Sequence, residues 1–506
     1  MKLFAPHLAD FYKIGHIKQY VPGTEEMYSN FTARGMTHAS VLPDFDKKTV
    51  WVGAQGKLQI LHDIWQQSFF SRPRQEVLAR FQRRMDYALG PKAIDTKAMG
   101  ALHDLGFLPL RVKALPEGSR VNLRVPLLTV RNTRADFAWC TNYVESQLSS
   151  EFWKTPTNAT TAYEFRRMLQ KFCDETGGIP QFIRWQGHDF SFRGMSGVYD
   201  GTSSAIAHLL CFNGTDSISA LDYLEDYYMA DASIEALGGS VPATEHSVVT
   251  LNGPEGEVDF AKRLMTELYP KGVVSNVGDS FDFWWMSTEG LRQLKPTIMS
   301  RQPDMFGLNK YVIRPDSGDP VKIINGDPKA DQGSPEQKGL LRCIAEVFDA
   351  ESTQTGPTST GHTLLDPHIG VIYGDAITLD RGHEMLKGMK DNGFCSSNMV
   401  FGVGSYTYQH VTRDTYAHAY KATNAVVNGE SRAIYKDPKT DNGMKKSARG
   451  YLRVEKEGED FVLYDNQTPD QERRGALRDV YVDGKFPNQE TWRTIRERLI
   501  PDFYKM

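Results

Sequence analysis

Charged side chains stand at the ends of several short apolar segments in the middle of this 506-residue chain. Asp216 ends LLCFNGTD, Asp279 ends GVVSNVGD, and Arg314 follows the apolar residues of YVIRPDSGD. Helix-like stretches such as SSAIAHLLC follow several of these segments, and strands that alternate with helices predict a parallel sheet. If such a sheet closes into a barrel, the residues after its strands gather at one mouth, the usual catalytic face. The sequence therefore predicts an enzyme in which these side chains and His246 share one pocket.

His246 lies between Glu245 and Ser247 in SVPATEHS. A neutral imidazole is a competent nucleophile toward phosphorus, and an adjacent carboxylate can hold its tautomer. Most single histidines are instead surface residues or satisfied residues of the core. The local sequence alone leaves both interpretations open and favours the second.

Arg314 and Asp316 lie in IRPDSGDP. The residue before a proline is kept out of the helical region, so the strand should turn here. The planar guanidinium of Arg314 suits a diphosphate, and Asp316 can bind ribose hydroxyls or a phosphate that carries a metal ion. The alternative is a strand-ending turn with a surface ion pair.

Two glycines also follow apolar segments, in the pairs Gly374-Asp375 and Gly404-Ser405. Glycine at a strand end lets backbone N–H groups approach a phosphate closely. These pairs therefore predict a phosphate-binding edge of the same sheet.

Asp216, Phe190 and Tyr12 have ordinary structural interpretations as well. Asp216 can cap the helix that follows NGTDS, as Asp often does. Phe190 would usually be a core aromatic, and Tyr12 a packed residue of the N-terminal segment. Taken singly, none of the three requires a function.

Composition limits the possible type of protein and its cellular compartment. Forty per cent apolar and 24% charged residues are typical of a globular protein, and the length predicts two or three domains. The net charge of −4 gives no overall attraction to nucleic acid or to an anionic membrane, so we expect neither partner. The five cysteines form no CxxC pair, and no segment resembles a signal peptide or a membrane span. These features indicate a cytoplasmic protein.

Three regions differ in their sequence texture. Residues 1–150 predict an α+β module, with antiparallel strands in 108–132. Residues 151–415 carry the strand–helix alternation and predict the α/β barrel. Within them, the Gly-, Pro-, Ser- and Thr-rich stretch 322–366 predicts a mobile surface excursion around one short helix. Residues 416–506 return to short strands and turns, and we expect them to pack with the N-terminal module.

Four stretches together resemble the nicotinamide phosphoribosyltransferase family: DFYKIGHIKQY (10–20), GHDFSFRG (187–194), SVPATEHS (240–247) and IRPDSGDP (313–320). The resemblance runs in the same order along almost the whole chain. It implies the irregular (β/α) barrel of the type II phosphoribosyltransferases, with a mostly antiparallel α+β module built from both terminal regions.

The resemblance also implies an activity. This is a pentosyltransferase (a glycosyltransferase) that forms nicotinamide mononucleotide and pyrophosphate from nicotinamide and phosphoribosyl pyrophosphate, in NAD salvage. ATP is implied as an activating co-substrate, and Mg²⁺ as an ion carried by the phosphorylated substrates rather than by an assigned set of protein ligands. The implied assembly is a homodimer with shared active sites.

Roles for catalytic residues follow from the same resemblance. His246 is the residue that ATP phosphorylates, and Asp279, Asp316 and Glu245 are the acids that act beside it. Asp216 accepts a hydrogen bond from the amide of nicotinamide.

The remaining implied roles concern binding. The pyridine ring stacks between Phe190 and the partner subunit's Tyr12, with Arg314 also at the nicotinamide. The residues implied to bind the diphosphate and the phosphoribosyl group are Arg34, Arg193, His246, Arg314, Asp316, Gly374, Asp375, Gly404, Ser405, Arg413, Lys421 and Lys436, with Lys445 a further candidate. Ser405 stands where relatives have a glycine, Ala419 stands where they have a serine, and 322–366 is longer than in those relatives.

Two other functions are compatible with parts of the sequence. The first is the same chemistry on nicotinate, for which Asp216 is the discriminating residue. The second is a dimeric binding or signalling protein that has lost catalysis. The presence of His246, Arg314, Asp316 and Asp216 together argues against this second function, because a decayed site should have lost some of them.

Overall fold

The structure is a computed structural model, which describes residues 3–348, 357–435, 448–501 and 503–504. The candidates Lys436 and Lys445 lie outside the described residues. The strands are β1 Thr24–Thr32, β2 Lys48–Val50, β3 Leu110–Ala114, β4 Arg120–Asn122, β5 Pro126–Asn132, β6 Gly187–Asp189, β7 Gly214–Thr215, β8 Val274–Val277, β9 Tyr311–Arg314, β10 Ile369–Tyr373, β11 Met399–Val403, β12 Ala419–Val427, β13 Glu430–Ala433, β14 Tyr451–Glu457, β15 Asp460–Gln467 and β16 Arg478–Val482.

The α-helices alternate with the strands of the middle region and cluster between the strands of the N-terminal region. They span Phe11–Gln19, Ala54–Trp65, Arg74–Leu89, Lys97–Leu105, Cys140–Tyr143, Glu145–Phe152, Lys154–Thr176, Ile183–Gln186, Val198–Leu209, Ser219–Tyr228, His246–Thr250, Glu257–Arg263, Phe283–Trp285, Leu291–Met299, Pro320–Asn325, Pro335–Lys338, Leu340–Phe348, Leu379–Asp391, Ser405–Tyr408, Pro469–Glu472 and Trp492–Leu499.

The middle region forms a six-stranded parallel sheet in the order β7-β6-β11-β10-β9-β8. Its short strands are almost wholly buried, as expected for a parallel sheet whose outer surface is covered by helices. The register sets His188 beside Gly402 and Asn276 beside Ile313, so all six carboxyl ends face the same way. The predicted parallel α/β sheet is confirmed.

The barrel closes through an irregular segment rather than through a seventh strand. Between β7 and β8, residues 239–244 bridge the gap in the ring. On one side Thr215 N donates to Gly239 O (2.9 Å), and on the other Ser275 N donates to Pro242 O (2.9 Å). This segment contains the first five residues of SVPATEHS, so the sequence stretch that carries His246 also completes the barrel wall.

Two apolar runs that suggested strands are not strands. In FIRWQGHDF, residues Ile183–Gln186 form a helical turn and only Gly187–Asp189 is a strand. In LLCF, Leu209 is the last residue of the buried helix Val198–Leu209, Leu210 and Cys211 form a turn, and the strand that follows is only Gly214–Thr215. A short apolar run can end a buried helix as well as form a strand, and its periodicity does not distinguish the two.

The N- and C-terminal regions together form a second sheet. It has six strands in the order β13-β12-β1-β5-β3-β16, and every pairing is antiparallel. The strands predicted within 108–132 are β3, β4 and β5. β12 and β16, from the C-terminal region, pair with β1 and β3 from the N-terminal region.

The last helix departs from the expected packing of residues 416–506. Trp492, Ile495 and Leu499 belong to the apolar core of the barrel, not to that of the terminal module. Arg496 of the same helix is fully buried and donates to the carbonyls of Phe212 (2.9 Å) and Leu237 (3.0 Å). The C-terminal helix therefore holds the backbone on both sides of β7.

The stretch 322–366 also differs from the expected surface excursion. Its helix Leu340–Phe348 buries Leu341, Ile344 and Phe348 in the barrel core. Apolar residues at helical spacing drive this packing, and the Gly- and Pro-rich flanks concealed it at the level of composition. Residues 349–356 are outside the described part of the chain. No helix among the described residues is long and apolar enough to cross a membrane.

Candidate active site

Three of the predicted catalytic residues meet at the carboxyl ends of β8 and β9. His246 begins the helix His246–Thr250, and its Nε2 lies 3.6 Å from Oδ1 of Asp279 and 3.8 Å from Oδ2 of Asp316. Its Nδ1 lies 3.0 Å from Oγ of Ser280. The imidazole is nearly half exposed, so it is both oriented and accessible to a ligand in the mouth.

Asp279 is the buried member of this group, with 3% of its side chain exposed. Its Oδ2 accepts hydrogen bonds from the backbone N of Asp316 (2.9 Å) and from Oγ of Ser317 (2.6 Å). Its Oδ1 is buried and has no hydrogen-bond partner in the described chain. That oxygen faces His246, so Asp279 fixes the turn after β9 and still presents an acceptor toward the imidazole.

Arg314 ends β9 and points to the segment that closes the barrel. Its Nη2 donates to the carbonyl of Thr244 (2.8 Å), while its buried Nε has no partner within the described residues. Glu245 is exposed, and one of its carboxylate oxygens accepts a hydrogen bond from Ser247 rather than from His246. The contacts of Glu245 therefore give no sign that its carboxylate orients the imidazole of His246, as the sequence predicted.

Asp216 lies across the mouth, after β7. Its Oδ1 accepts from His188 Nε2 (2.9 Å) and from Ser240 Oγ (2.6 Å). The helix Ser219–Tyr228 has no side-chain cap, so the alternative role of Asp216 as a helix cap is wrong. Burial acts to raise the pKa of Asp216, but the hydrogen bond and charge of His188, with Ser240 and Arg314, outweigh it and lower the pKa. The carboxylate is thus ionised at neutral pH.

Phe190 follows β6 and is half-buried beside this group. Its ring centroid lies 4.9 Å from that of His188, at an interplanar angle of 55°. The preceding residue, Asp189, is fully buried and accepts hydrogen bonds from Ser191, Thr215 and Ser217. Asp189 therefore ties the end of β6 to the end of β7, which holds Phe190 and Asp216 on the same rim.

The predicted phosphate residues are spread over neighbouring strand ends. Gly374 and Asp375 follow β10, and Gly404 caps the helix that begins at Ser405 after β11. Arg193 is exposed on the turn Phe192–Gly194. All of these residues follow carboxyl ends of the barrel strands, as the sequence predicted.

A separate cluster of cations lies on the terminal module and on the loop that carries Arg413 and leads into strand β12. Arg34 follows β1 and donates to the carbonyl of Ala417 (3.1 Å), and Lys421 pairs with Asn30 in the sheet. Burial and the charge of Arg413 lower the pKa of Arg34. Burial also lowers the pKa of Lys421, the charge of Glu145 opposes this, and the charges of Arg34 and Arg413 add to it. In the described residues, no hydrogen bond or ion pair joins these three cations to the carboxylates of the barrel mouth.

Tyr12 is on the same module, in the helix Phe11–Gln19, with 61% of its surface exposed. Its ring contacts His16 of its own helix, at 5.4 Å between centroids, and it does not pack into a core. The interpretation of Tyr12 as a packed residue of the N-terminal segment is therefore wrong. The face of its ring is free to contact another protein surface.

A protein cage for a metal ion is not present in the part of the chain that the structure describes, since no group of three or more His, Cys, Asp or Glu side chains could hold an ion there. Mg²⁺ commonly binds through one or two carboxylates together with substrate phosphates. Asp279 and Asp316 fit that lesser role, because one has a free oxygen and the other is partly exposed.

Residues 185–485 match the profile of the nicotinate phosphoribosyltransferase (NAPRTase) family. The nicotinamide phosphoribosyltransferase of Acinetobacter baylyi is 48% identical to this chain over 491 residues, which cover 97% of this chain and 96% of that relative. The chain belongs to the nicotinate phosphoribosyltransferase family. The nicotinamide phosphoribosyltransferase of Mycoplasma pneumoniae is 30% identical over 467 residues, which cover 85% of this chain and 92% of that relative.

Solved structures agree with this family at the level of the fold. Nicotinate-nucleotide pyrophosphorylase from Pyrococcus furiosus superposes with a TM-score of 0.56 at 13% identity, covering 99% of this chain and 95% of that chain. Human nicotinic acid phosphoribosyltransferase gives a TM-score of 0.51 at 13% identity, covering 97% and 92%. The predicted type II phosphoribosyltransferase fold is confirmed, and the chain is a pentosyltransferase.

In this phosphoribosyltransferase, four polar residues of the site had no role predicted from the sequence. These are His188, Asp189, Ser240 and Ser280. The first three lie inside GHDFSFRG and SVPATEHS, and Ser280 follows Asp279 directly. Their positions within those stretches were the available indication, but their partners are distant in sequence and could not be identified from it.

Proposed function

We propose that this phosphoribosyltransferase forms nicotinamide mononucleotide and pyrophosphate from nicotinamide and phosphoribosyl pyrophosphate, as a step of NAD salvage. Both curated relatives described above are named nicotinamide phosphoribosyltransferases. The proposal concerns the choice of the amide over the acid, which family membership alone does not decide.

One observation carries that choice: the ionised carboxylate of Asp216, which is joined to Phe190 through His188, a residue that contacts both. His188 and Ser240 both donate to Oδ1, and Oδ2 accepts no hydrogen bond within the described residues. The open oxygen can accept from the N–H₂ of nicotinamide, whereas the carboxylate of nicotinate would meet a second negative charge. This arrangement favours nicotinamide.

The transfer step needs few protein groups. The pyridine nitrogen attacks the anomeric carbon of phosphoribosyl pyrophosphate, the C–O bond to the diphosphate breaks, and pyrophosphate leaves. Asp279 and Asp316 would stabilise the positive charge that develops on the ribosyl ring, and Arg314 and Arg193 would neutralise the leaving diphosphate. Mg²⁺, when bound with the substrate, supplies further neutralisation of that charge.

We propose in addition that ATP phosphorylates His246 and thereby stimulates the transfer. A ring nitrogen would attack the γ-phosphorus as ADP leaves. Ser280 lies 3.0 Å from Nδ1 and the carboxylates lie 3.6 Å and 3.8 Å from Nε2, so the ring is oriented at both nitrogens. The same carboxylates would stabilise positive charge on the imidazole during the attack.

The active site is proposed to be shared between two subunits of a homodimer. Tyr12 exposes its ring, and Arg34, Arg413 and Lys421 form a cationic cluster on the terminal module and the loop before β12. The partner's Tyr12 would cover the pyridine ring opposite Phe190, and the cluster would meet the substrate phosphates, which relieves the mutual repulsion of its cations.

Two alternatives follow from specific features. Phosphoribosyl transfer to nicotinate would use the same residues of the barrel mouth, and only the negative charge of Asp216 disfavours it. Loss of catalysis is disfavoured because His246, Asp279 and Asp316 retain a mutual geometry that a binding protein does not need.

A single assay tests the proposed function. Purified protein is given phosphoribosyl pyrophosphate with either nicotinamide or nicotinate, each with and without ATP, and the mononucleotide and pyrophosphate are quantified. Nicotinamide mononucleotide should predominate, and ATP should increase its formation. Equal use of nicotinate would overturn the amide-specific role, and the absence of pyrophosphate with both substrates would support the non-catalytic alternative.

A further inference from the structure

Phe190 rests on two glycines that belong to neighbouring strands. Its backbone N donates to the carbonyl of Val403 (3.0 Å), which fixes it at the end of β6 against β11. Gly402 lies in β11 and Gly374 follows β10, so the ring spans the ends of two adjacent strands.

The Phe190 ring can occupy this position only because Gly374 and Gly402 lack a side chain. A Cβ atom added to Gly374 would lie 2.8 Å from both Cδ2 and Cε2 of Phe190. A Cβ atom added to Gly402 would lie closer still to the same two atoms, and 2.7 Å from Cα of Gly374. Carbon atoms in favourable contact are about 3.5–4.0 Å apart, so either addition would displace the ring outward by about 1 Å.

Backbone conformation does not explain these two glycines. Neither Gly374 nor Gly402 is among the residues with a positive φ, so both have a backbone that other residues adopt. Gly404, two residues further on, differs, because a Cβ atom there would meet its nearest neighbour at 3.9 Å. At 374 and 402 the requirement for glycine is therefore steric. Phe190 alone imposes it at 374, and Phe190 together with the backbone of Gly374 imposes it at 402.

We propose that Gly402 and Gly374 are positioning residues that set the depth of Phe190 and thereby the width of the slot for a flat pyridine ring. The inference rests on the proposed function, in which Phe190 stacks on nicotinamide. It assigns Gly374 a role that differs from the predicted approach of its N–H to a phosphate. His188 borders the same ring, so an outward shift would also move Phe190 relative to the group that holds Asp216.

The test is a double-mutant cycle of Gly374→Ala and Phe190→Leu, because the Cβ atom added at 374 would clash only with the Phe190 ring. Gly374→Ala alone should raise the KM for nicotinamide at least about tenfold, since a displacement of about 1 Å at a reacting ligand can cost about 100-fold. The KM for phosphoribosyl pyrophosphate should change by less than about twofold. In the Phe190→Leu background the smaller side chain leaves room for the methyl group, so adding Gly374→Ala should change the nicotinamide KM by less than about twofold.

Gly370→Ala is the matched control. Gly370 lies in β10, and the nearest neighbours of its added Cβ atom would be Cδ of Lys310 at 2.8 Å and Cγ2 of Val312 at 3.4 Å, with no atom of Phe190 among them. It should leave both KM values unchanged. If Gly374→Ala is insoluble alone, recovery of soluble protein in the Phe190→Leu background supports the inference, and no recovery contradicts it.

The outcomes separate the inference from the proposed function. If Phe190→Leu binds nicotinamide as well as the parent, the stacking role is wrong and the inference fails with it. If Phe190→Leu weakens binding but Gly374→Ala does not, only the inference is wrong. The same penalty for Gly374→Ala in both backgrounds would mean that it perturbs the sheet generally and does not act through Phe190.

Discussion

His188 Nε2 donates to Oδ1 of Asp216 at 2.9 Å, across the ends of two adjacent parallel strands. An ionised carboxylate only accepts hydrogen bonds, so this contact assigns the proton to Nε2. Ser240, from the segment that closes the barrel, donates to the same oxygen. The carboxylate therefore has a fixed orientation, with its second oxygen left for a ligand.

Replacing Asp216 with Ser should shift the substrate preference. The lost charge-assisted hydrogen bond contributes about 1.5–3 kcal/mol, and the repulsion of a nicotinate carboxylate about 4 Å away is about 4 kcal/mol at an effective dielectric near 20. The ratio of kcat/KM for nicotinamide to that for nicotinate should fall at least about 100-fold, since 1.4 kcal/mol is about tenfold. Steady-state kinetics with both substrates measures this ratio.

Asp319→Ser is the control for Asp216→Ser. Asp319 caps the helix Pro320–Asn325 by accepting from Val321 N at 3.0 Å, and serine retains a capping oxygen. This variant should keep the parent preference. An unchanged preference in Asp216→Ser would show that the specificity for the amide lies elsewhere.

His246→Ala should abolish ATP hydrolysis and the stimulation by ATP. Weak ribosyl transfer should remain, because Arg314, Asp279 and Asp316 do not depend on the imidazole. Phosphate release and mononucleotide formation, each with and without ATP, measure the two effects. The control is His383→Ala, on the outer helix Leu379–Asp391, where the ring packs against Phe172. Full ATP stimulation in His246→Ala would rule out the phosphohistidine.

Complementation should occur between Tyr12→Ala and Asp316→Ala. Each variant alone should be nearly inactive in a shared-site dimer, because every site lacks one contribution. After subunit exchange, one site of each mixed dimer has both an intact barrel mouth and the partner's Tyr12, so partial activity should return. Exchange is verified with differently tagged subunits. Verified exchange without recovered activity would contradict the shared site.

Glu257 should make stability depend on pH. Its side chain is buried, and burial, followed by the charges of Asp279 and Asp282, raises its pKa to about 7. Between the ordinary carboxyl range and pH 7 the folded state holds a proton that the unfolded state has lost. The free energy of unfolding therefore falls as the pH rises through this window and remains lowered above it.

Glu257→Gln removes the ionisation and should remove this loss. From pH 5 to pH 8 the variant should gain stability relative to the parent, on the order of 3 kcal/mol, since one pKa unit is about 1.4 kcal/mol. Denaturant unfolding at the two pH values measures the difference, with the exposed Glu267→Gln as control. An identical pH dependence in parent and Glu257→Gln would refute the assignment.

Local patterns in the sequence were enough for the class of fold and for the positions of Arg314 and Asp279, because a polar residue after an apolar segment lies at a strand end, and strand ends of a parallel sheet meet on one face. The local sequence of His246 did not favour a function, and the role predicted for it came from the family resemblance. The antiparallel strands within 108–132 were predicted because alternation of apolar and polar residues can be recognised from the local sequence alone.

Contacts between segments distant along the chain were not predictable in this way. Ser240 reaches Asp216 only because residues 239–244 fill the gap in the barrel wall, and Gly402 meets Phe190 only because β11 lies beside β6. Periodicity reports which face of a segment is buried and says nothing of which other segment covers it. The order of strands around the barrel supplies that information, because it brings side chains from separate strand ends within hydrogen-bond or van der Waals distance.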